Sequence, residues 1–277
     1  TGTGKTAAFS LPILQWLAAE RTSSGGIRAL VLAPTRELAL QIEASFRTYG
    51  RHVSFRTAVV LGGVSCGPQI KALKRANVVV ATPGRLLDLW RQGHVDLDGV
   101  RKLVLDEADR MLDMGFAPDV RRIISLLPDD RQTMLFSATL SAEIAGLSSD
   151  ILKNPSMVAV TPPASVSNKI TQQVMFVEQT DKRQLLKEIL SRDSTARALV
   201  FTRTKHRANK VVKELLKAGI TADAIHSNKS QTARQRALSA FDGGRIKVLV
   251  ATDIAARGID VEGISHVINY EMPDDPK

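Results

Sequence analysis

The chain has 277 residues, about twice a typical domain, so two domains are expected. Hydrophobic residues at 44% and charged residues at 24% are ordinary for a folded protein and exclude disordered, collagen-like and coiled-coil classes. No apolar run approaches the roughly 18 to 20 residues that cross a bilayer, so no membrane-spanning segment and no membrane partner are expected. The net charge of +10 points to a polyanionic partner such as nucleic acid. The single cysteine, Cys66, permits no internal disulfide and no cysteine metal cluster, as expected of a reducing, cytoplasmic compartment.

Along the chain, short β-branched runs recur, each ending in a polar or glycine-containing cluster and each followed by a stretch of helix length. The expected strands are Ile27 to Ala33, Thr57 to Leu61, Val78 to Ala81, Lys102 to Leu105 and Thr133 to Phe136, then Gln173 to Val177, Ala198 to Thr202, Ala222 to His226, Ile246 to Ala251 and His266 to Asn269. Continuous apolar runs suit strands buried on both faces, so an α/β fold with mostly parallel sheets flanked by helices is expected in each half. Between the fifth and sixth runs, Val160-Thr-Pro-Pro-Ala-Ser-Val-Ser167 excludes helix and central strand and suits an extended linker. The expected division is residues 1–160, a flexible linker over 161–169, and residues 170–277. The opening Thr-Gly-Thr-Gly-Lys-Thr string and the closing Met272-Pro-Asp-Asp-Pro-Lys277 both read as cut from a longer sequence.

In open parallel sheets, ligands bind outside the carboxyl ends of the strands, so chemistry is sought in the residues that follow each strand. Gly2-Thr3-Gly4-Lys5-Thr6 is the C-terminal part of a P-loop. Its backbone N–H groups and helix start can cradle phosphates, Lys5 can reach the β- and γ-phosphates, and Thr6 can ligate Mg²⁺. After the strand Lys102 to Leu105 stands Asp106-Glu107-Ala108-Asp109. Asp106 can hold Mg²⁺ through water and Glu107 can orient an attacking water. Each string alone also has an ordinary reading, as a glycine-rich turn before a helix or as strand-ending helix caps. Together they supply phosphate grip, metal and polarised water.

With these motifs the chain resembles the DEAD-box RNA helicases through essentially its whole length. Pro34-Thr-Arg-Glu-Leu-Ala39, Gly62-Gly63, Thr82-Pro-Gly-Arg85, Asp106 to Asp109, Ser137-Ala-Thr139, Val200-Phe-Thr-Arg-Thr204, Gln231 with Arg234, and Ala251-Thr-Asp-Ile-Ala-Ala-Arg-Gly-Ile-Asp260 appear in that family's order. The string Ser227-Asn-Lys-Ser-Gln231 through Ala237-Leu238 resembles the bacterial RhlE-type subgroup. The resemblance implies two RecA-like P-loop NTPase domains that close over ATP and RNA. It implies an RNA path along Pro34, Thr35, Arg36, Gly62, Gly63, Thr82, Pro83, Gly84 and Arg85, read through backbone N–H, hydroxyl and guanidinium contacts to phosphates. In the second half it assigns RNA contacts to Thr202, Arg203, Gln231, Arg234 and Thr252, and ATP contacts to Gly258 and Asp260. Ser137 and Thr139 would link the nucleotide site to strand separation, with Asp109 as their partner. Single-stranded and duplex RNA, bound through the backbone, are thus the expected partners, with ATP and Mg²⁺ as cofactors, no DNA, and a monomeric protein.

Aromatics at only 4% argue against a base-stacking platform. The basic series Arg203, Lys205, Arg207, Lys210, Lys213 and Lys217 reads as a solvated helix face. Trp16, Trp90, Met111 and Met114 read as packing residues, and His206, His226 and His266 lack metal-ligand spacing. The glutamine-bearing segment with which the family recognises adenine, and its His-Arg-Gly-Arg motif, are not among these residues, so impaired hydrolysis is expected of this stretch alone. Two other classes stay open: a DNA-directed motor of the same superfamily, separable by dependence on ribose 2′-hydroxyls, and a non-enzymatic RNA clamp, against which Lys5, Thr6, Asp106 and Glu107 together speak.

Overall fold

A computed structural model describes residues 4–20, 25–159, 170–192, 195–252, 261 and 263–271. The chain divides into two compact units, Thr1–Pro155 and Ser156–Lys277. The expected linker over 161–169 lies outside the described residues.

In the first unit, strands β1 (Ala29–Leu32), β2 (Thr57–Val60), β3 (Val78–Ala81), β4 (Lys102–Leu105) and β5 (Gln132–Leu135) form one parallel sheet in the order β2-β3-β1-β4-β5. Alternate residues of each strand point to opposite faces, and both faces are covered. Leu30, Leu32, Val79, Leu103 and Leu105 join one buried cluster with the helices α3 (Cys66–Leu73), α4 (Pro83–Arg91), α5 (Ala108–Asp113), α6 (Ala117–Ile124) and α7 (Ala142–Ile151). Ala29, Val31, Val78, Val80 and Val104 join the other with α1 (Lys5–Ala19) and α2 (Arg36–Tyr49). Local chemistry sets where the helices start. Thr35 Oγ1 accepts the Leu38 N–H at 3.2 Å and caps α2, while Pro83 occupies the first helical position of α4, where its missing N–H costs nothing.

The second unit repeats the plan on a smaller scale. Strands β6 (Ala198–Thr202), β7 (Ala222–Ile225), β8 (Val248–Thr252) and β9 (His266–Asn269) lie parallel in the order β7-β8-β6-β9. Helices α8 (Lys182–Ser191) and α9 (Lys205–Lys217) cover one face and α10 (Gln231–Asp242) the other. Thr204 and Ser230 cap α9 and α10 through bonds from the N–H groups of Arg207 and Ala233, each at 3.2 Å.

Nine expected strands are present, with ends moved by at most two residues. The tenth expectation is corrected: Gln173 to Val177 forms no strand. Its Val174 and Phe176 are 83% and 98% exposed, so its apolar run is left largely uncovered, and an apolar run without a pairing partner does not make a strand. Trp16 and Trp90 are half-buried, each beneath cations: Arg28 and Lys102 at Trp16, Arg122 at Trp90. No helix among the described residues is long and apolar enough to cross a membrane.

Candidate functional site

Helix α1 begins directly after Gly4, whose φ of 73° lies in the left-handed region that glycine adopts freely. No side chain caps this helix start, and no atom stands within 4 Å of where a Cβ on Gly4 would sit. The unsatisfied N–H groups of a first helical turn, with the helix dipole behind them, favour an anion. Lys5 Nζ donates to the carbonyl oxygen of Ser137 at 3.0 Å, which ties the start of α1 to the segment after β5. Thr6 is half-buried, and its carbonyl accepts from Ser10 Oγ at 2.5 Å. Gly2 and Thr3 lie outside the described residues.

Strand β4 delivers the acidic pair. Asp106 is only 4% exposed, and its Oδ1 accepts the N–H of Glu107 at 3.1 Å. Burial, followed by the adjacent Glu107 charge, pushes its carboxyl up to about 6, against the opposing pull of that N–H bond and of Lys5. Glu107 itself has φ 52° and ψ 52°, a left-handed backbone that costs a non-glycine residue about 1–2 kcal/mol. Arg110, one turn along α5, bonds Glu107 Oε2 at 3.1 Å. A Thr hydroxyl and a carboxylate form an all-oxygen donor set, the kind a hard divalent cation such as Mg²⁺ accepts. Thr6, Asp106 and the uncapped helix start therefore fit a metal–phosphate ligand.

Asp109, at the start of α5, reaches across to the segment after β5. Its Oδ2 accepts three bonds at 3.2 Å, from the N–H groups of Ala138 and Thr139 and from the Thr139 hydroxyl. The Ser137 hydroxyl behaves differently from the expectation that Asp109 partners both: it donates to the Thr139 carbonyl at 2.7 Å. The Thr139 N–H is shared between Asp109 Oδ2 and Ser137 Oγ, the latter at 3.4 Å, and the local turn brings the Thr139 carbonyl to the Ser137 hydroxyl.

The residues after β1, β2 and β3 also meet. The Arg36 guanidinium lies against Gly62 and Gly63, and a Cβ on Gly63, whose φ is 73°, would overlap it. Arg85 donates to the Val64 carbonyl at 3.1 Å. Pro34, Thr35, Thr82 and Pro83 are buried at this end of the sheet, whereas Gly62 is half-buried and Gly63 and Gly84 are exposed along the rim. Gln69, on α3, was not singled out by its motif context, yet it holds this loop: it accepts the Leu61 N–H at 2.9 Å and donates to the carbonyls of Leu61 and Ser65, both at 3.1 Å. The readable signal was a polar residue on the inward phase of the α3 helix.

In the second unit, Thr202 and Thr252 end neighbouring strands in register. Thr202 is buried and its hydroxyl donates to the Thr204 carbonyl at 3.4 Å. The Arg203 N–H donates to Glu271 Oε2 at 3.0 Å, and Glu271 also pairs with Arg207 at 3.0 Å. Gln231 is buried at the start of α10, and Arg234 follows it by one turn. Glu271 carried no sequence signal, because it follows a strand by two residues in a stretch that matches no motif. Gly258 and Asp260 lie outside the described residues.

The chain matches the family model "DEAD/DEAH box helicase" over residues 1–147 and "Helicase conserved C-terminal domain" over residues 181–277. All of it aligns with the DEAD-box ATP-dependent RNA helicase CshA of Streptococcus pneumoniae, at 42% identity and over 52% of that protein. It aligns equally with the ATP-dependent RNA helicase RhlB of Pseudomonas putida, at 42% identity and over 71% of that protein. The chain thus spans about half the length of CshA. Among solved structures it is similar to S. cerevisiae Dbp5 bound to RNA and ADP BeF3, with a TM-score of 0.86 at 32% identity, covering 100% of this chain and 70% of that one. A DEAD box protein from Methanococcus jannaschii is similar with a TM-score of 0.55 at 37% identity, over 100% of this chain and 74% of that one. Motifs, parallel sheets and these matches agree: the chain belongs to the DEAD/DEAH box helicase family.

Proposed function

We propose that the chain is the motor of an ATP-dependent RNA helicase, which couples ATP hydrolysis to backbone-directed RNA binding and local duplex separation. One observation carries this reading: Lys5, the Asp106 to Asp109 segment and the Ser137 to Thr139 segment form a single hydrogen-bonded network at one end of the first sheet. A change at the phosphate side of that network is felt by the residues that answer to RNA. Bound Mg²⁺ supplies charge neutralisation at phosphate oxygens, and Thr6 and Asp106 are the residues that would hold it. Lys5 would leave the Ser137 carbonyl for a phosphate, which frees the segment that Asp109 holds. Glu107, set by its left-handed backbone and by Arg110, would orient water and accept its proton at a carboxylate oxygen.

The RNA path in this reading runs over Pro34, Thr35, Arg36, Gly62, Gly63 and Thr82 to Arg85, with Thr202, Arg203, Gln231, Arg234 and Thr252 contributed by the second unit. Gly258 and Asp260 would complete the ATP site. The family's RNA-helicase relatives and the basic charge of +10 support RNA as the partner. Contacts to phosphates predict little sequence preference and a steep loss of affinity with salt.

The test is phosphate release from a version extended through the family's His-Arg-Gly-Arg motif, with RNA or DNA of one sequence, beside fluorescent-ATP binding by Lys5→Ala. Stimulation by RNA alone, and loss of nucleotide binding in Lys5→Ala, are expected. Equal stimulation by DNA would make the chain a DNA-directed motor. Nucleotide binding that ignores Lys5→Ala would reduce it to a clamp.

A further inference from the structure

The loop that follows β2, Leu61 to Ser65, is gripped from three helices. The Val60 carbonyl accepts the Thr82 N–H at 3.0 Å on the β3 side, and successive residues of a strand turn their backbone groups to opposite edges. The N–H and carbonyl of buried Leu61 therefore face the outer edge, and β2 is the last strand of its sheet. Gln69 of α3 stands in for a neighbouring strand: its Oε1 accepts the Leu61 N–H at 2.9 Å, and its Nε2 donates to the Leu61 carbonyl at 3.1 Å. The second amide hydrogen goes to the Ser65 carbonyl, also at 3.1 Å. Both donors of a buried carboxamide and its acceptor are thus spent on this one loop.

The other two grips are cationic. Arg36 of α2 lies against Gly62 and Gly63, and Arg85 of α4 donates to the Val64 carbonyl at 3.1 Å. Both arginines belong to the RNA path proposed above. A guanidinium that turns to a phosphate gives up part of its hold on the loop, because the charged phosphate is the stronger acceptor. Gln69 is uncharged and buried, so a phosphate does not draw it away. We propose that Gln69 is a positioning residue for RNA binding, which keeps the Leu61 to Ser65 backbone in its phosphate-reading shape while Arg36 and Arg85 exchange that loop for RNA. The inference rests on the RNA path and deepens it by naming the side chain that preorganises it. Preorganisation raises affinity by removing an ordering cost, which is large for a pair of glycines. The three bonds of Gln69 all end on this loop, so ATP binding should not depend on them.

The experiment is fluorescence anisotropy of labelled oligouridine on the chain and on four variants, each checked for folding by circular dichroism. Gln69→Met removes all three bonds. Gln69→Glu keeps the shape and the acceptor but loses both donors at pH 8; burial beside two carbonyl oxygens favours its protonated form, which regains one donor as pH falls. Phe46→Leu, at the far end of α2 in the core, lowers stability without touching the loop, and Arg85→Ala tests the RNA path itself. At pH 8 both Gln69 variants should bind RNA at least about tenfold more weakly than the wild type, while Phe46→Leu RNA binding and fluorescent-ATP binding by the Gln69 variants stay within about twofold. At about pH 5.5, Gln69→Glu should return to within about threefold of the wild type at that pH, and Gln69→Met should not. Unchanged RNA affinity in Gln69→Met, equal weakening in Phe46→Leu, or no recovery of Gln69→Glu at low pH each overturns the proposal. Weakened binding in Arg85→Ala beside intact binding in Gln69→Met overturns the role of Gln69 alone, whereas oligouridine that ignores Arg85→Ala, or does not bind the wild type, overturns the RNA path and this inference with it.

Discussion

The two units place their motif residues at the carboxyl ends of parallel strands, but they tie those residues down in different ways. In the first unit the motifs hold one another: Asp109 binds Ala138 and Thr139, Lys5 binds Ser137, and Arg36 lies on Gly63. In the second, Glu271, outside any motif, joins Arg203 to Arg207, and Asn228 receives Lys205 at 3.0 Å. The sheets themselves are alike. The inner strands of both are buried or nearly so, and the edge strands β5 and β9 are only partly covered, with Val267 62% exposed. A site made of mutual contacts is assembled before any ligand arrives, and a substitution in one motif must disturb its neighbour.

The largest expected effect tests the chemistry of the first unit. Glu107→Gln keeps the shape of the side chain and the bond from Arg110 but removes the basic carboxylate. Turnover in the extended version should fall at least about 10³-fold with ATP and RNA binding retained, because general-base contributions run to about 10²–10⁴. Wild-type phosphate release from this variant would remove Glu107 from its role.

Asp106 makes a smaller and opposite-signed prediction. Its carboxyl lies at about 6 in the fold, above its ordinary 3.8, so folding favours the protonated form. That contribution is fully present below about pH 3.8 and is lost as pH rises through about 6. Above that, in EDTA, the fold carries a buried ionised carboxylate. Asp106→Asn should therefore stabilise the metal-free chain at pH 8, by on the order of 2 to 3 kcal/mol, while it weakens Mg²⁺-dependent nucleotide binding. Melting curves of the two proteins should converge toward pH 4. Identical melting at pH 8 would show that burial does not strain Asp106.

Asp109→Ala addresses the mutual-contact argument directly. It strips the acceptor from three backbone N–H groups and one hydroxyl, with an expected loss of about 1–2 kcal/mol by urea unfolding, since these bonds are partly exposed. A double-mutant cycle with Thr139→Ala should be non-additive by about 0.5 kcal/mol or more. Additive losses would mean that the two segments are neighbours without coupling.

Much of this was legible because buried parallel strands leave continuous apolar runs, and because ligand-binding residues follow such strands directly. Val78 to Ala81 and Lys102 to Leu105 match the observed strands residue for residue, and the acidic pair sits where the strand ends. What escaped is the support behind the motifs. Gln69 and Glu271 act through side chains that reach backbone groups eight and 68 positions away, and such returns depend on where loops fold back, which spacing along one segment does not encode. The Ser137 hydroxyl was misplaced for a related reason: two acceptors compete for it, and only the turn geometry decides. The failed strand at Gln173 to Val177 shows the complementary limit, because an apolar run states what would be buried and not whether a neighbouring strand pairs with it.

That segment supplies the smallest expected effect and the sharpest contrast between the units. Were Gln173 to Val177 a buried strand, removing the ring of Phe176 would cost about 3–5 kcal/mol, as is typical for a core phenylalanine. In the structure Phe176 is 98% exposed, so Phe176→Ser should move stability by no more than about 0.5 kcal/mol. Phe46 of the first unit, fully buried between α1 and the sheet, should pay the core cost on Phe46→Ala. Urea unfolding followed separately in each unit reads both. The Phe176→Ser change also removes an exposed apolar ring, so any shift should favour solubility over aggregation. A loss above about 2 kcal/mol at Phe176 would show that the ring is covered in solution, and would restore the strand that the apolar run Val174 to Val177 first suggested.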